Sequence, residues 1–234
     1  MLKAKRQAPG SLLVAAAACA AAAMVSCSSD GYETGDGTYS RLRADFVVAY
    51  AGSDKMVDRV LTDGGDTLAT APPFTVKWIT KADSAYRALL YYERNDGENG
   101  QPTARPITIE AVPVLKPTPT SQIKTPKTDP VTFESAWMSD NKKYANIAFY
   151  VKTGQANAKD QAQAIGLMAD STATNADGTA TLCLTFYHDQ AGVPEYYSSK
   201  GYASIPIGSI HADSMQLTIN TYEGKITKKF KINH

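Results

Sequence analysis

The residue types that most often carry out catalysis or bind metals are sparse in this chain. His188, His211 and His234 are too far apart in sequence to form the usual pair of zinc ligands. Alternation along the predicted strand places Cys183 and His188 on opposite faces, so they do not form a thiol–imidazole nucleophile. The sequence has no Gly-x-Ser-x-Gly elbow, and no glycine-rich loop precedes a predicted helix. We therefore predict no catalytic residue, no metal site and no cofactor.

Pairs of carboxylates are the remaining candidates for catalysis, because glycoside hydrolysis needs two of them facing each other across a cleft. The acids near the predicted loops of the first half are Asp63, Asp66, Glu93 and Asp96. Nothing in the sequence singles out a pair among them. An enzyme that acts on envelope glycans is therefore the least favoured hypothesis.

Cys27 is the one residue whose surroundings predict a defined reaction. It follows a positively charged start and an apolar run from Ser11 to Val25, the order found in secretory signal peptides. The run is short for a membrane-spanning helix. Met24-Val25-Ser26-Cys27 resembles a lipobox, in which the thiol is acylated with diacylglycerol and becomes the new N-terminus. We predict a signal peptide at 1–26, lipidation of Cys27, and membrane attachment through that lipid; the alternative is an ordinary signal cleaved nearby.

Composition argues against two further classes of protein: disulfide-stabilised domains and nucleic-acid-binding proteins. Cys19 lies within the apolar run and leaves with the signal, so Cys183 has no partner and no disulfide framework is expected. The charges are nearly balanced, with 24 Lys and Arg against 23 Asp and Glu. Because a near-neutral protein has no electrostatic attraction to nucleic acid, we do not predict nucleic acid as a partner.

Apolar and polar residues alternate with a period of two in many short segments, which is typical of half-buried β-strands. The segment "ATLCLTFYHD", for example, places Leu182, Leu184 and Phe186 on one face. Before a proline-rich stretch the pattern predicts about five strands, near 43–50, 56–62, 74–79, 86–94 and 106–115. After it the pattern predicts about seven, at 131–138, 143–153, 162–170, 179–188, 196–207, 214–222 and 225–232. The predicted class is all-β.

The proline-rich stretch "PVLKPTPTSQIKTPKTDPV" divides the two groups of strands. Proline lacks an amide donor and favours extended backbone, so residues 116–130 are predicted to form a semi-rigid linker. The five strands before it suit a small OB-like barrel over 41–115. The seven strands after it suit a β-sandwich over 131–234. Residues 27–40 form a short tether next to the lipid.

The last predicted strand carries four lysines, which favour one of two roles. Lysines on the edge of a sheet block unwanted strand pairing, and this is the favoured interpretation. The alternative is a patch for a membrane surface or an anionic ligand. The lysines are Lys225, Lys228, Lys229 and Lys231.

The order of these features resembles the NigD-like lipoproteins of the Bacteroidota. The most specific segments are "ESAWMSDNKKYANIAFYV" and "LTFYHDQAGVPEYYSSKGYASIPI". The resemblance implies an OB-like N-terminal barrel and an immunoglobulin-like C-terminal β-sandwich. It also implies a suggested role in immunity, through a bacteriocin gene neighbourhood, and it supplies no catalytic residues.

Two further patterns resemble signals of the same bacteria. Asp30, Glu33 and Asp36 follow the lipidated cysteine, as in acidic signals that export lipoproteins to the cell surface. The location predicted is the outer membrane, on its periplasmic or cell-surface face. Four Asp-Ser or Asp-Thr triplets resemble an O-glycosylation sequon, with candidate acceptors Thr67, Ser84, Ser171 and Ser214.

Clustered tyrosines are the only residues that favour ligand binding. Tyr91 and Tyr92 precede the loop "ERNDGENG", and Tyr196, Tyr197 and Tyr202 gather around a predicted turn. A tyrosine ring stacks on sugars and on protein partners while its hydroxyl stays in water, although tyrosine is also a common strand residue. We therefore expect a non-enzymatic envelope lipoprotein that binds a protein or glycan partner. The alternative is a fimbrial or adhesin-like structural subunit, which would need an incomplete sandwich or a cleavable N-terminal strand.

Overall fold

The computed structural model describes residues 41–97, 101–154 and 162–232. These residues form β-strands joined by turns, with short 3₁₀ helices at Thr120–Gln122 and Ile207–Ser209, and none of them belongs to a helix long and apolar enough to span a membrane. The predicted all-β class is confirmed. The strands are β1 (Leu42–Ala51), β2 (Val57–Thr62), β3 (Thr67–Phe74), β4 (Ser84–Asn95), β5 (Thr103–Ala111), β6 (Thr118–Pro119), β7 (Thr132–Met138), β8 (Tyr144–Thr153), β9 (Ala164–Thr174), β10 (Ala180–Asp189), β11 (Tyr197–Pro206), β12 (Ser214–Thr221) and β13 (Gly224–Lys231). The signal peptide 1–26, Cys27 and the tether lie outside the described residues.

Strands β1 to β5 close into a barrel in the order β1-β2-β3-β5-β4. Their pairs are antiparallel except β3 with β5, which is parallel. The interior is apolar, with Val47, Val60, Leu68 and Leu90 fully buried. Burial of one face of every strand stabilises the closed sheet, and closure leaves no free edge. The predicted small five-stranded barrel is confirmed.

The third strand of the barrel lies earlier than predicted, at Thr67–Phe74 instead of 74–79. Leu68 is buried in the barrel interior, and this part of the chain pairs with β2. Beyond β3, the half-buried side chains of Val76 and Trp78 alternate with exposed residues and pack against the same interior. Their backbone is not part of a strand, so alternating burial alone does not produce a strand.

The second half of the chain is a β-sandwich, as predicted. One sheet has the order β13-β12-β10-β9-β6 and the other the order β11-β8-β7. Between them lies one apolar core that includes Ile147, Leu184, Ile205 and Leu217, each at most 1% exposed. The seven predicted strands correspond to β7 to β13. Assignment of the sandwich to the immunoglobulin type stays a prediction.

The proline-rich segment runs along the sandwich instead of crossing open solvent. Thr118–Pro119 forms β6, which pairs in parallel with β9. Farther along, Thr128 forms a bridge with His188, and Val131 forms one with Thr221. These contacts place residues 116–130, predicted as a linker, against the five-stranded sheet.

The outer face of the three-stranded sheet packs against the barrel. Register places Trp137, Asn146 and Ser204 side by side across β7, β8 and β11. Phe46 of β1 meets Trp137 and Tyr202 edge-on, with ring centroids 5.5 and 5.3 Å apart. Edge-to-face packing of this kind is favourable for aromatic rings. The barrel and the sandwich therefore have separate cores and share a packed junction.

Arg87 of β4 is the centre of that junction. Its guanidinium donates two hydrogen bonds of 2.7 Å to the carboxylate of Asp63, and further bonds of 3.0 Å to Asn146 Oδ1 and Ser204 Oγ. Ser204 and Asn146 are bonded to each other, and Asn146 also donates to Asp63. The ring of Tyr144 lies 4.1 Å from the guanidinium carbon. A buried cation is tolerated because its donors reach oxygen acceptors and its face meets an aromatic ring.

Candidate binding surface

Three exposed tyrosines lie at one end of the sandwich. Tyr196 is 77% exposed, Tyr197 56% and Tyr222 45%. Tyr196 directly precedes β11 and Tyr197 is its first residue, whereas Tyr222 lies in the turn between β12 and β13. Glu195 joins the two segments, because the Tyr222 hydroxyl donates a 3.2 Å hydrogen bond to its carboxylate. We call these four residues the tyrosine surface.

The turn after β10 presents the first two tyrosines. Asp189 accepts a hydrogen bond from the amide of Ala191, and Ala191 and Gly192 both adopt positive φ, at 51° and 71°. Short polar side chains that bond to the backbone favour tight turns of this kind. Val193 is buried and anchors the turn to the sandwich, so the chain emerges again at Pro194. The tyrosines therefore follow a well-anchored turn.

Gly154 allows Tyr196 to lie close to the end of β8. A Cβ at position 154 would stand 2.8 Å from the Tyr196 ring and 3.0 Å from the carbonyl oxygen of Pro194. The Tyr196 amide also donates a 3.0 Å hydrogen bond to the carbonyl of Thr153. The backbone of Tyr196 is therefore held in place, while most of the ring remains in solvent.

The environment of Tyr222 is partly apolar. Partial burial, followed by the negative charge of Glu195 and its hydrogen bond, raises the pKa of Tyr222 to about 12. Its hydroxyl therefore stays protonated and remains a donor at neutral pH. Beside it lies a cleft of about 170 Å³, lined by Phe133, Thr221 and Ile226 among others. An amphipathic ring next to a partly apolar cleft is a suitable contact for a partner.

Tyr202 does not belong to this surface. Its position in β11 gives it the opposite facing from Tyr197, and its ring packs against Phe46 at the junction. The structure therefore leaves Tyr196 and Tyr197, which are neighbours in the chain, exposed at the same end of the sandwich and separates Tyr202 from them. Sequence reasoning missed Tyr222, although the turn residues Glu223 and Gly224 directly after it were a usable signal.

The residues considered for catalysis have other partners. His188 is fully buried, and its Nδ1 lies 3.1 Å from the carbonyl oxygen of Asp129, to which it donates. Its Nε2 has no hydrogen-bond partner among the described residues. Cys183 is half-buried on the outer face of the five-stranded sheet, beside Ser171 and Gln216. The imidazole and the thiol do not meet.

The four acids considered for glycan hydrolysis are all paired with arginines. Asp63 binds Arg87, whereas Asp66 and Asp96 both bind Arg94 at 2.7 Å. Glu93 accepts from Arg105 at the same distance. In residues 41–97, 101–154 and 162–232, no cluster of three His, Cys, Asp or Glu side chains could hold a metal ion.

The candidate glycosylation acceptors differ in accessibility. Thr67 and Ser171 are exposed on β3 and β9. Ser84 is half-buried and donates to the carbonyl of Ala82, and Ser214 shares a 2.7 Å hydrogen bond with Thr181. Modification therefore stays a prediction for all four, and the exposed pair is the better placed.

The second half of the chain matches one family model. Residues 113–233 match the NigD-like C-terminal β-sandwich domain. This range includes every strand of the sandwich, the proline-rich segment and the tyrosine surface. No curated protein matches the chain.

Several solved structures have the same fold over most of the described chain. A NigD-like immunity protein from Bacteroides caccae is 20% identical, with a TM-score of 0.62 over 82% of this chain and 97% of that one. A candidate toxin-related protein from Parabacteroides distasonis is also 20% identical, with a TM-score of 0.61 over 82% and 93%. A candidate lipoprotein from Bacteroides fragilis is 11% identical, with a TM-score of 0.54 over 82% and 98%. At these identities the similarity establishes the fold.

Proposed function

Because the chain belongs to the family defined by the NigD-like C-terminal β-sandwich domain, we propose that it is a non-enzymatic, lipid-anchored binding protein. It is held at the outer membrane by the lipid on Cys27 and binds a protein or glycan of the cell envelope. The lipobox supports the anchor, and so does the similarity in fold to a candidate lipoprotein from Bacteroides fragilis. Immunity, the role named for the protein from Bacteroides caccae, is one form that such binding takes.

The tyrosine surface is the observation that carries the proposal. Of the large apolar or aromatic side chains exposed in the described residues, three lie at this one end: Tyr196, Tyr197 and Tyr222. Isolated exposed apolar residues are ordinary, but a group beside a cleft marks an interaction site. Tyrosine is enriched among the residues that dominate binding energy, each contributing about 2 kcal/mol or more when buried by a partner.

The surface has no arrangement for catalysis. Glu195 is the one carboxylate among its four residues and accepts a hydrogen bond from the hydroxyl of Tyr222, while Glu223 lines the adjoining cleft. The rings present apolar faces with polar rims, which suits stacking on a sugar or packing against a protein. A partner would bury those faces and leave the hydroxyls at the edge of the contact.

Replacing Tyr196 and Tyr197 together with alanine should weaken capture of the native partner by a factor of about 30 or more. The partner is first identified by mild crosslinking and pull-down from native membranes with the unmodified protein. Affinity is then measured with the purified partner, and stability by thermal unfolding. Because both rings are mostly in solvent, the thermal midpoint should stay nearly unchanged.

Tyr91 provides a matched control, because it is an exposed strand tyrosine on the barrel. Tyr91→Ala should leave partner affinity unchanged. Equal loss in the control and in the double variant would mean that the tyrosine surface is not the contact. Unfolding of the double variant would show that its tyrosines support the fold, which would also remove the basis of the proposal.

A further inference from the structure

Strand β13 forms an open edge of the five-stranded sheet. All eight of its residues pair with β12 in uninterrupted antiparallel register, from Gly224 opposite Thr221 to Lys231 opposite Ser214. Among the described residues, no strand pairs with its other side. Natural edges are often shortened or interrupted by a bulge, as β7 is between Phe133 and Ser135. The edge of β13 has neither feature, so its outer backbone groups form a regular row.

The charges on β13 itself all have one sign, and the acidic residue next to it in the chain is Glu223, in the preceding turn. Lys225, Lys229 and Lys231 lie opposite the polar residues of β12 on the outer face of the sheet. Lys228 lies opposite buried Leu217 and so belongs to the face that covers the core. Its ammonium reaches across the side of the sandwich to within 5.0 Å of the Phe133 ring centroid on β7. Neither β12 nor β13 contains an acidic residue.

Apolar groups on either side of Lys228 are incompletely covered. Ile226 and Phe230 of β13 are only partly buried against the sandwich core, as is Met138 of β7. The cleft of about 170 Å³ beside Tyr222 includes Ile226, and a second cleft of about 320 Å³ includes Phe230 and Met138. Every second side chain of an added strand would face these groups.

We propose that the outer edge of β13 binds an extended acidic segment of a partner protein by strand addition. Main-chain hydrogen bonds would extend the sheet, and alternate side chains would give specificity. Carboxylates would pair with Lys225, Lys229 and Lys231 on the outer face, and one inward carboxylate would meet Lys228. Small apolar side chains would fill the positions next to Ile226 and Phe230.

A second copy of this chain is the less suitable occupant. Pairing β13 with another β13 would place lysines beside lysines, and like charges on adjacent strands are destabilising. The same lysines therefore prevent self-association and select an acidic strand. The core is already complete, since Leu217 and Ile219 are at most 1% exposed, so the added strand would extend the sheet and would not be needed for folding.

The test uses a fluorescein-labelled peptide, Glu-Val-Glu-Glu-Glu-Val-Glu-Val, which matches the eight positions of β13. Titration followed by anisotropy should show saturable binding that weakens as salt is raised. Hydrogen exchange should show new protection at residues 224–231. Lys228→Glu should weaken binding by a factor of about five or more, because it replaces a cross-strand attraction with a repulsion. Lys228→Gln, which only removes the charge, should weaken it less.

Two controls separate strand addition from simple charge attraction. A peptide of the same sequence that carries N-methyl groups on the glutamates opposite Lys225, Thr227 and Lys229 keeps the charge but cannot form the main-chain ladder, and it should not bind. Lys77→Glu, an exposed charge reversal on the barrel, should bind the original peptide normally. Equal binding of the N-methylated peptide, or protection away from β13, would overturn the proposal. Concentration-dependent dimers with β13 protected in the absence of peptide would also overturn it, in favour of a second copy.

This proposal and the one for the tyrosine surface can fail separately. The double variant Tyr196→Ala/Tyr197→Ala should bind the acidic peptide like the unmodified protein. Loss of peptide binding in that variant would contradict a separate site at β13.

Discussion

Replacing Arg87 with leucine is expected to lower the free energy of unfolding by about 3–5 kcal/mol. The Arg87 side chain is 1% exposed and that of Asp63 is 16% exposed, so the change leaves a poorly hydrated carboxylate without its cation. Asn146 and Ser204 also lose a charged donor in the buried junction. Urea denaturation followed by tryptophan fluorescence measures the loss, since Trp137 lies at this junction.

Arg94 is the matched control for this experiment. It also binds two carboxylates at 2.7 Å, those of Asp66 and Asp96, but at the surface, where its side chain is 28% exposed. Exposed ion pairs contribute about 1 kcal/mol or less, so Arg94→Leu should cost little. A similar loss in both variants would show that burial does not determine the effect.

The double variant Arg87→Leu/Asp63→Asn should recover part of the stability lost in Arg87→Leu. Removing the unpaired charge eliminates most of its desolvation cost, whereas the hydrogen bonds to Asn146 and Ser204 stay lost. Strictly additive losses in the two single variants and the double variant would mean that Asp63 and Arg87 do not act as a pair.

Replacing Cys27 with serine is expected to release the protein from the membrane. In the proposed lipidation the thiol is the nucleophile that forms the thioether with diacylglycerol, and a serine hydroxyl does not replace it. Without acyl chains, nothing in the described residues is long and apolar enough to span a bilayer as a helix. Stable attachment through acyl chains needs more than one chain. Without the lipid, the loss of membrane attachment should therefore be close to complete.

The measurement is membrane fractionation together with incorporation of radiolabelled fatty acid in a bacterium that processes lipoproteins. Cys183→Ser is the control, because that thiol lies half-buried on the sandwich sheet and should leave both results unchanged. A Cys27→Ser protein that stayed labelled and membrane-bound would place the anchor elsewhere.

Local alternation was enough to predict most of the strands. Leu184, Phe186 and His188 of β10 are all buried as their spacing indicates, because the two faces of a strand differ in burial along any short segment. The same signal failed at Val76 and Trp78, where side chains face the barrel interior but the backbone has no neighbouring strand. Alternation within one segment predicts which side chains are buried, whereas a β-strand also needs a neighbouring strand for its backbone hydrogen bonds.

The tertiary structure decided which distant residues meet. Arg87 lies within the largely apolar strand β4, and its partners Asp63, Asn146 and Ser204 are 24, 59 and 117 positions away. It likewise separated Tyr202 from the exposed tyrosines and added Tyr222 to them. No local pattern carries this information, since it depends on how the two sheets and the barrel pack. The sequence by itself determined the strand-rich class and the predicted lipid site at Cys27, because alternation and a lipobox are complete within a few neighbouring residues.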